Sequence, residues 1–222
     1  MKWNAARGYD LLLILALQLV IPSVGVGFWI MMGGNEAHLE AYAYILSPPL
    51  SLLIILLVLA LRGHMGDLAD FFRPLPSFKK LLLWGGGGAF LVLVAGEGTA
   101  YALSRWIPLQ ENNPLVTDPG AFTQPMIVAL FLSAGLMAPL GEELLYRGLL
   151  LDFLRPWGTW GAAFLSSVAF AFAHGLWTLF LPLLAIGLIL AFLRLRGGTL
   201  WFSITAHALF NLASLSLALM PS

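Results

Sequence analysis

Long apolar runs alternate with short polar breaks along this chain, and the runs are of similar length. Seven of them lie at about residues 10–32, 41–61, 80–104, 125–154, 159–175, 177–195 and 199–220. Each is compatible with a helix that crosses a bilayer, which takes roughly 20 residues. The fifth and sixth are short and are separated only by "HGLW", which predicts that they tilt or join through a turn below the membrane surface. An eighth, partial segment arises if the fourth run breaks near Gly148. No strand pattern stands out, and an open sheet has no place in lipid. The predicted fold is all-α: a polytopic transmembrane helical bundle of about seven spans, or eight if the fourth divides.

Composition supports this reading. The chain has 222 residues, 60% of them hydrophobic and 10% charged, and its mean hydropathy is +0.90. One soluble core cannot bury that much apolar surface, so the surplus faces lipid. The net charge is zero, which leaves no basic field for nucleic acid. With no cysteine, disulfides, thiolate chemistry and zinc–cysteine sites are excluded. The N-terminus, "MKWNAARGYDLLLILALQLVIPS", has a basic start but no small-x-small cleavage site, and is read as a retained first span.

Loop charges orient the bundle. With the N-terminus cytoplasmic, Lys2, Arg7, Arg62, Arg73, Lys79, Lys80, Arg147, Arg155, Arg194 and Arg196 lie on or towards the cytoplasmic side, and only Arg105 lies outside. "RGHMGDLADFFRPLPSFKK" is then the largest cytoplasmic loop and "RWIPLQENNPLVTDPG" the largest external one. "WGGGGAF", at Trp84–Phe90, is read as a site of close helix packing. His38 and His64 are placed in solvated loops. The chain is treated as one membrane-embedded domain over 1–222, with three spans and their loops in 1–124 and a four-helix core in 125–220.

An ionisable group deep in a bilayer costs at least ~2.5–3.5 kcal/mol, so it is kept only where it faces protein and finds partners. Inside the apolar runs stand Glu97, Glu142, Glu143, Arg147, His174, His207 and the amide Asn211. Glu143-x-x-x-Arg147 puts opposite charges on one helical face. Glu142 is turned about 100° from Glu143, so the two carboxylates are expected to point to different places. His207-x-x-x-Asn211 places two polar groups on one face, and Phe170 stands one turn before His174. At 1.5 Å per residue, Glu142 lies roughly 18 Å from the inner end of the fourth segment, His207 roughly 13 Å from the start of the seventh and His174 roughly 22 Å from the start of the fifth. Three ionisable groups on three helices thus reach broadly similar levels.

"EELLYR", "FAFAH" and "HALFN" resemble, in order, the Glu-Glu-x-x-x-Arg, Phe-x-x-x-His and His-x-x-x-Asn motifs of an intramembrane protease family. That family, CPBP, includes the CAAX prenyl endopeptidases and the bacterial Abi proteins. The likeness covers about residues 125–215, and the first three spans show no motif. It implies a helical bundle in a bacterial cytoplasmic membrane, with a catalytic core in 125–220 and a site open towards the cytosol. The expected activity is hydrolysis of a peptide or membrane-tethered protein. Glu142 would activate water, His174 would hold the water and carry a proton to the leaving amine, and His207 and Asn211 would donate to the oxyanion. Glu143–Arg147 is read as a structural pair.

Other readings stay open. Glu142, His174 and His207 are also a competent zinc set, although no His-Glu-x-x-His is present and the metal-free route is preferred. Each polar pair could simply lock helices together. A non-catalytic bacteriocin-immunity or scaffold protein and a proton-coupled transporter are the further alternatives, the latter disfavoured by the lack of matched halves. Glu97 has no motif; it is left between pairing with Arg105, lining a substrate path and lying near the outer surface. Substrate identity and oligomeric state are not readable.

Overall fold

A computed structural model describes residues 5–33, 36–110, 114–117, 120 and 122–220. Every predicted apolar run is a helix. We number them α1 (Ala5–Met31), α2 (Glu36–Leu61), α3 (Met65–Phe71), α4 (Phe78–Ser104), α5 (Pro114–Thr117), α6 (Gln124–Trp157), α7 (Thr159–Ala173), α8 (Trp177–Gly197) and α9 (Trp201–Ala218). Among the described residues, α1, α2, α4, α6, α8 and α9 are long and apolar enough to cross a membrane, and α7 is a shorter apolar helix of 15 residues. The chain is a multi-pass integral membrane protein. The fourth run does not break at Gly148: α6 continues through it as a 34-residue helix. Lys2 lies outside the described residues.

Two histidines differ from expectation. His38 falls in the first turn of α2, not in a loop, and its side chain lies outside the described residues. His64 stands in its loop as expected, but its side chain is only 22% exposed. It sits before α3 with Nε2 3.0 Å from Asp10 and Nδ1 3.4 Å from Asp67, while Arg62 donates to Asp10 at 2.7 Å. Asp10 is buried on α1, so a charged group inside a span attracted both partners and drew the loop inwards.

The bundle is ordered by packing. Helix α8 lies between α7 and α4, α4 also meets α9, and α6 touches α2, α7 and α9, while α1 rests on α2. The outer faces carry exposed apolar side chains such as Leu19, Leu53, Phe90 and Phe164, as lipid-facing surfaces should. Close approach relies on glycines. An added Cβ at Gly85 would stand 2.7 Å from Thr205, and one at Gly88 would stand 2.5 Å from Leu193 and 3.2 Å from Ala206. Gly86 and Gly87 of the same patch meet little, so only one side of it is a packing face. At the α7–α8 crossing, a Cβ at Gly187 would lie 2.9 Å from Ser167 Cβ and 3.2 Å from its Cα. Backbone cannot yield as a side-chain tip can, so Gly187→Ala is expected to lower stability by about 1–3 kcal/mol, measured by thermal unfolding in detergent.

Prolines shape the helices that frame the polar residues. Pro49 has no N–H to give the carbonyl four residues earlier, Ile45, and the Ser133 hydroxyl of α6 donates to that oxygen at 2.6 Å. Pro139 likewise leaves the carbonyl of Gly135 without its helical donor, and α6 winds as a π-helix over Ser133–Met137 just before it. A second π-helical stretch, Glu143–Leu150, contains the Glu143–Arg147 pair. Wide turns of this kind are often found at functional sites.

Candidate active site

Glu143 and Arg147 are fully buried, and Arg147 Nη1 donates to Glu143 Oε1 at 2.9 Å. The guanidinium is held from two further sides. Nη2 donates to the Gly187 carbonyl at 3.1 Å, and the guanidinium carbon stands 4.3 Å from the centre of the Phe170 ring. The pair therefore joins α6, α7 and α8 at one point. Gly187 serves it doubly, since the missing side chain that lets α7 approach also leaves its carbonyl reachable.

His207 of α9 completes the arrangement. Its Nδ1 lies 3.1 Å from Glu143 Oε1, the oxygen that also accepts from Arg147. A carboxylate can only accept, so Nδ1 carries the proton and, in the neutral ring, Nε2 is left with its lone pair. Nε2 lies 3.8 Å from Glu142 Oε2. That is too long for a direct hydrogen bond. The adjacent carboxylates point to different places, as expected, yet each comes near a different ring nitrogen of His207. A rotation of about 100° separates two side chains on a helix, but an imidazole has a nitrogen on each side and fits between them.

The two carboxylates still differ in access. The Glu143 side chain is 0% exposed, whereas that of Glu142 is 30% exposed. Glu142 opens into a cavity of about 480 Å³ that also takes in Tyr146, Ala173 and His174. His174 Nδ1 lies 2.8 Å from the Phe170 carbonyl. A carbonyl also only accepts, so here too Nε2 is the basic nitrogen of the neutral ring. Gly175, at φ 67°, takes the left-handed conformation that turns the chain immediately after His174. Phe170 is the common wall, with ring centres 4.7 Å from His174, 5.7 Å from His207 and 5.5 Å from Tyr146.

Asn211 lies elsewhere. Its amide donates to the Ala134 carbonyl at 2.9 Å, and it lines a second cavity, of about 600 Å³, together with Glu97 and Gln110. Neither Asn211 nor Glu97 borders the Glu142 cavity. Arg105 donates to the Tyr101 hydroxyl at 3.1 Å and, among the described residues, forms no ion pair with Glu97.

The first two spans, which show no motif, supply one wall of the Glu142 cavity. Gln18 donates to the Ser51 hydroxyl at 2.9 Å across α1 and α2, and both residues border it beside Pro22, Ser47 and Pro48. The signal was present, since a glutamine and two serines inside apolar runs are polar groups that need a protein-facing side. Tyr146 and Gly187 carried no comparable signal. For a metal, each histidine leaves Nε2 free in the manner of a ligand whose other nitrogen is anchored. However, no group of three histidine, aspartate or glutamate side chains among the described residues could hold an ion.

Residues 124–213 match the family model of type II CAAX prenyl endopeptidase Rce1-like proteins. A protein of Escherichia coli, named only as an uncharacterized 24.3 kDa protein, is 33% identical over 89 residues, covering 37% of this chain and 41% of that relative. The chain thus spans less than half the length of the curated relative it matches. No solved structure matches the chain.

Proposed function

From the premise that residues 124–213 are Rce1-like, we propose that this membrane protein is an intramembrane endopeptidase that cuts a peptide or a membrane-tethered protein. The observation that carries the reading is the cavity carboxylate of Glu142, set opposite a histidine whose far nitrogen is anchored on a sealed Glu–Arg pair.

Hydrolysis needs a base for water, a donor for the oxyanion and a route for the proton. Glu142 Oε2 is sealed from solvent, has no hydrogen-bond partner in the protein and faces His207 across 3.8 Å, so a water or substrate that enters from the Glu142 cavity would meet an unmatched acceptor. Glu142 takes a proton as the water oxygen bonds to the carbonyl carbon. The imidazolium form of His207 donates from Nε2 to the oxyanion, while Glu143 receives Nδ1–H and shares its charge with Arg147. As the carbon–nitrogen bond breaks, the proton held by Glu142 passes through Nε2 of His174 to the leaving amine. Water is consumed, and one carboxyl and one amine are formed.

Asn211 takes a different part from the oxyanion role its spacing suggests. Its bond to Ala134 ties α9 to the helix of Glu142, so it acts as a structural link between the two helices. Asn211→Ala should therefore cost about 0.5–1.5 kcal/mol of stability, with kcat nearly retained. Loss of a true oxyanion donor would instead lower kcat by about 10²–10³. Thermal unfolding and turnover, measured on the same preparation, separate the two.

The test of the function is cleavage of a fluorogenic peptide library by the purified protein in lipid, with and without a strong chelator. Chelator-resistant cleavage supports the glutamate route. Chelator-sensitive cleavage restored by zinc would make Glu142, His174 and His207 a ligand set that closes around the ion. Absence of cleavage across the library would favour a non-catalytic role such as immunity or scaffolding.

A further inference from the structure

A second polar cluster lies at the opposite end of α6 from Gln124 and has no part in the chemistry above. Asp152 and Arg194 are buried, each 8% exposed, near the ends of α6 and α8. Their closest approach, Arg194 Nη2 to Asp152 Oδ2, is 3.9 Å, and Arg155 Nη1 is likewise 3.9 Å from Asp152 Oδ1. Both distances are too long for hydrogen bonds. Arg194 Nε and Asp152 Oδ1 are buried and have no hydrogen-bond partner in the protein. One is a donor and the other an acceptor, and leaving either unmet is costly. They border a cavity of about 210 Å³ whose other polar side chains are Asp70 and Arg155.

The cavity therefore offers two guanidiniums and two carboxylates. Its ligand must carry an anion with acceptor oxygens and, a short distance away, a cation with N–H donors. A quaternary ammonium has no N–H and is recognised by aromatic cages, whereas Phe71 is the one aromatic residue bordering this cavity. The volume lies below the ~300 Å³ of drug-sized pockets, so it suits a small headgroup and not a peptide. Its level also points to lipid. Asp152 lies five positions before the end of α6 and Arg194 three before the end of α8, or roughly 5–8 Å at 1.5 Å per residue. Trp157, at the end of α6, and Trp160, at the start of α7, are exposed, as in the aromatic belt at a membrane surface.

We propose that this cavity binds the ethanolamine phosphate headgroup of a phospholipid, with phosphate on Arg194 and Arg155 and the primary ammonium on Asp152 and Asp70. The charge pattern assigns this end to the cytoplasmic leaflet. The proposal does not depend on proteolysis, and binding is its readout.

The test is native mass spectrometry of the full chain with phosphatidylethanolamine, phosphatidylglycerol and phosphatidylcholine of matched acyl chains. Phosphatidylethanolamine should bind about tenfold or more tightly than either of the others, the factor expected from a charge-assisted hydrogen bond. Arg155→Gln and Asp70→Asn change exposed positions, so folding is retained, and each should erode that preference. Arg194→Gln should abolish it; the two exposed variants decide the question if that chain does not fold. Equal retention of all three lipids would overturn the proposal. So would phosphatidylglycerol binding as tightly as phosphatidylethanolamine, or a preference unchanged in both exposed variants. Soluble phosphoethanolamine binding where the lipid does not would overturn the lipid assignment.

Discussion

Glu142→Gln is expected to remove about 10²–10⁴ of kcat while leaving thermal unfolding of the protein nearly unchanged. The amide keeps the shape of the side chain and can still face His207, but it cannot accept a proton from water. Stability should hold because the Glu142 carboxylate lies 3.8 Å from Nε2, takes no protein hydrogen bond at Oε2 and is partly open to the cavity. Little structural energy rests on it. The measurement is kcat on a cleaved peptide beside the unfolding temperature of the same sample. A folded Glu142→Gln protein with unreduced turnover would refute the assignment of the base.

Arg147→Met should do the reverse and act first on stability. Removing one partner of a buried pair strands the other charge, which costs about 3–5 kcal/mol. Here the stranded group would be Glu143, sealed from solvent and bonded to His207. The effect is read as a lowered denaturation midpoint in detergent. Adding Glu143→Gln to Arg147→Met should recover part of the loss, because the remaining amide is neutral. A double variant no more stable than Arg147→Met would mean that the guanidinium matters through Gly187 and Phe170, and not through its charge.

These opposed expectations for Glu142 and for the Glu143–Arg147 pair show where sequence reasoning reached and where it stopped. The apolar runs located the helices to within a few residues because length is what lipid demands. Of the polar residues within those runs, Glu142, Glu143, Arg147, His174 and His207 come together around Phe170 and the Glu142 cavity, whereas Glu97 and Asn211 border another. Facing directions were less legible. In a membrane helix the lipid side and the protein side are both apolar, so periodicity says little about rotation. That is why the walls given by Gln18 and Ser51, and the placing of Asn211 against Ala134, emerged only in three dimensions. Asn211 and His207 share a face by spacing, yet one turn of rise is enough to put His207 on Glu143 and Asn211 on Ala134, at the edge of a separate cavity. The turn of α6 at Glu143 is π-helical, and Phe170, marked only by its distance from His174, proved to be the wall shared by Arg147 and both histidines. The short helices α3 and α5 lie within predicted loops, where no apolar run announces them.

The brevity of α7 has a consequence for the surrounding bilayer. Fifteen residues rise roughly 22 Å, whereas the hydrocarbon slab is about 30 Å thick. The helix ends at His174, and the turn that follows is met by the preceding loop, with the backbone N–H of Gln110 donating to the Thr178 hydroxyl at 2.9 Å. Where α7 borders lipid, the shortfall is met by thinner lipid or by water that descends to one of its ends, and His174 stands at one of them. Membrane thickness thereby becomes a variable felt at the cavity rim: a thinner bilayer relieves the mismatch, and a thicker one submerges the polar turn further.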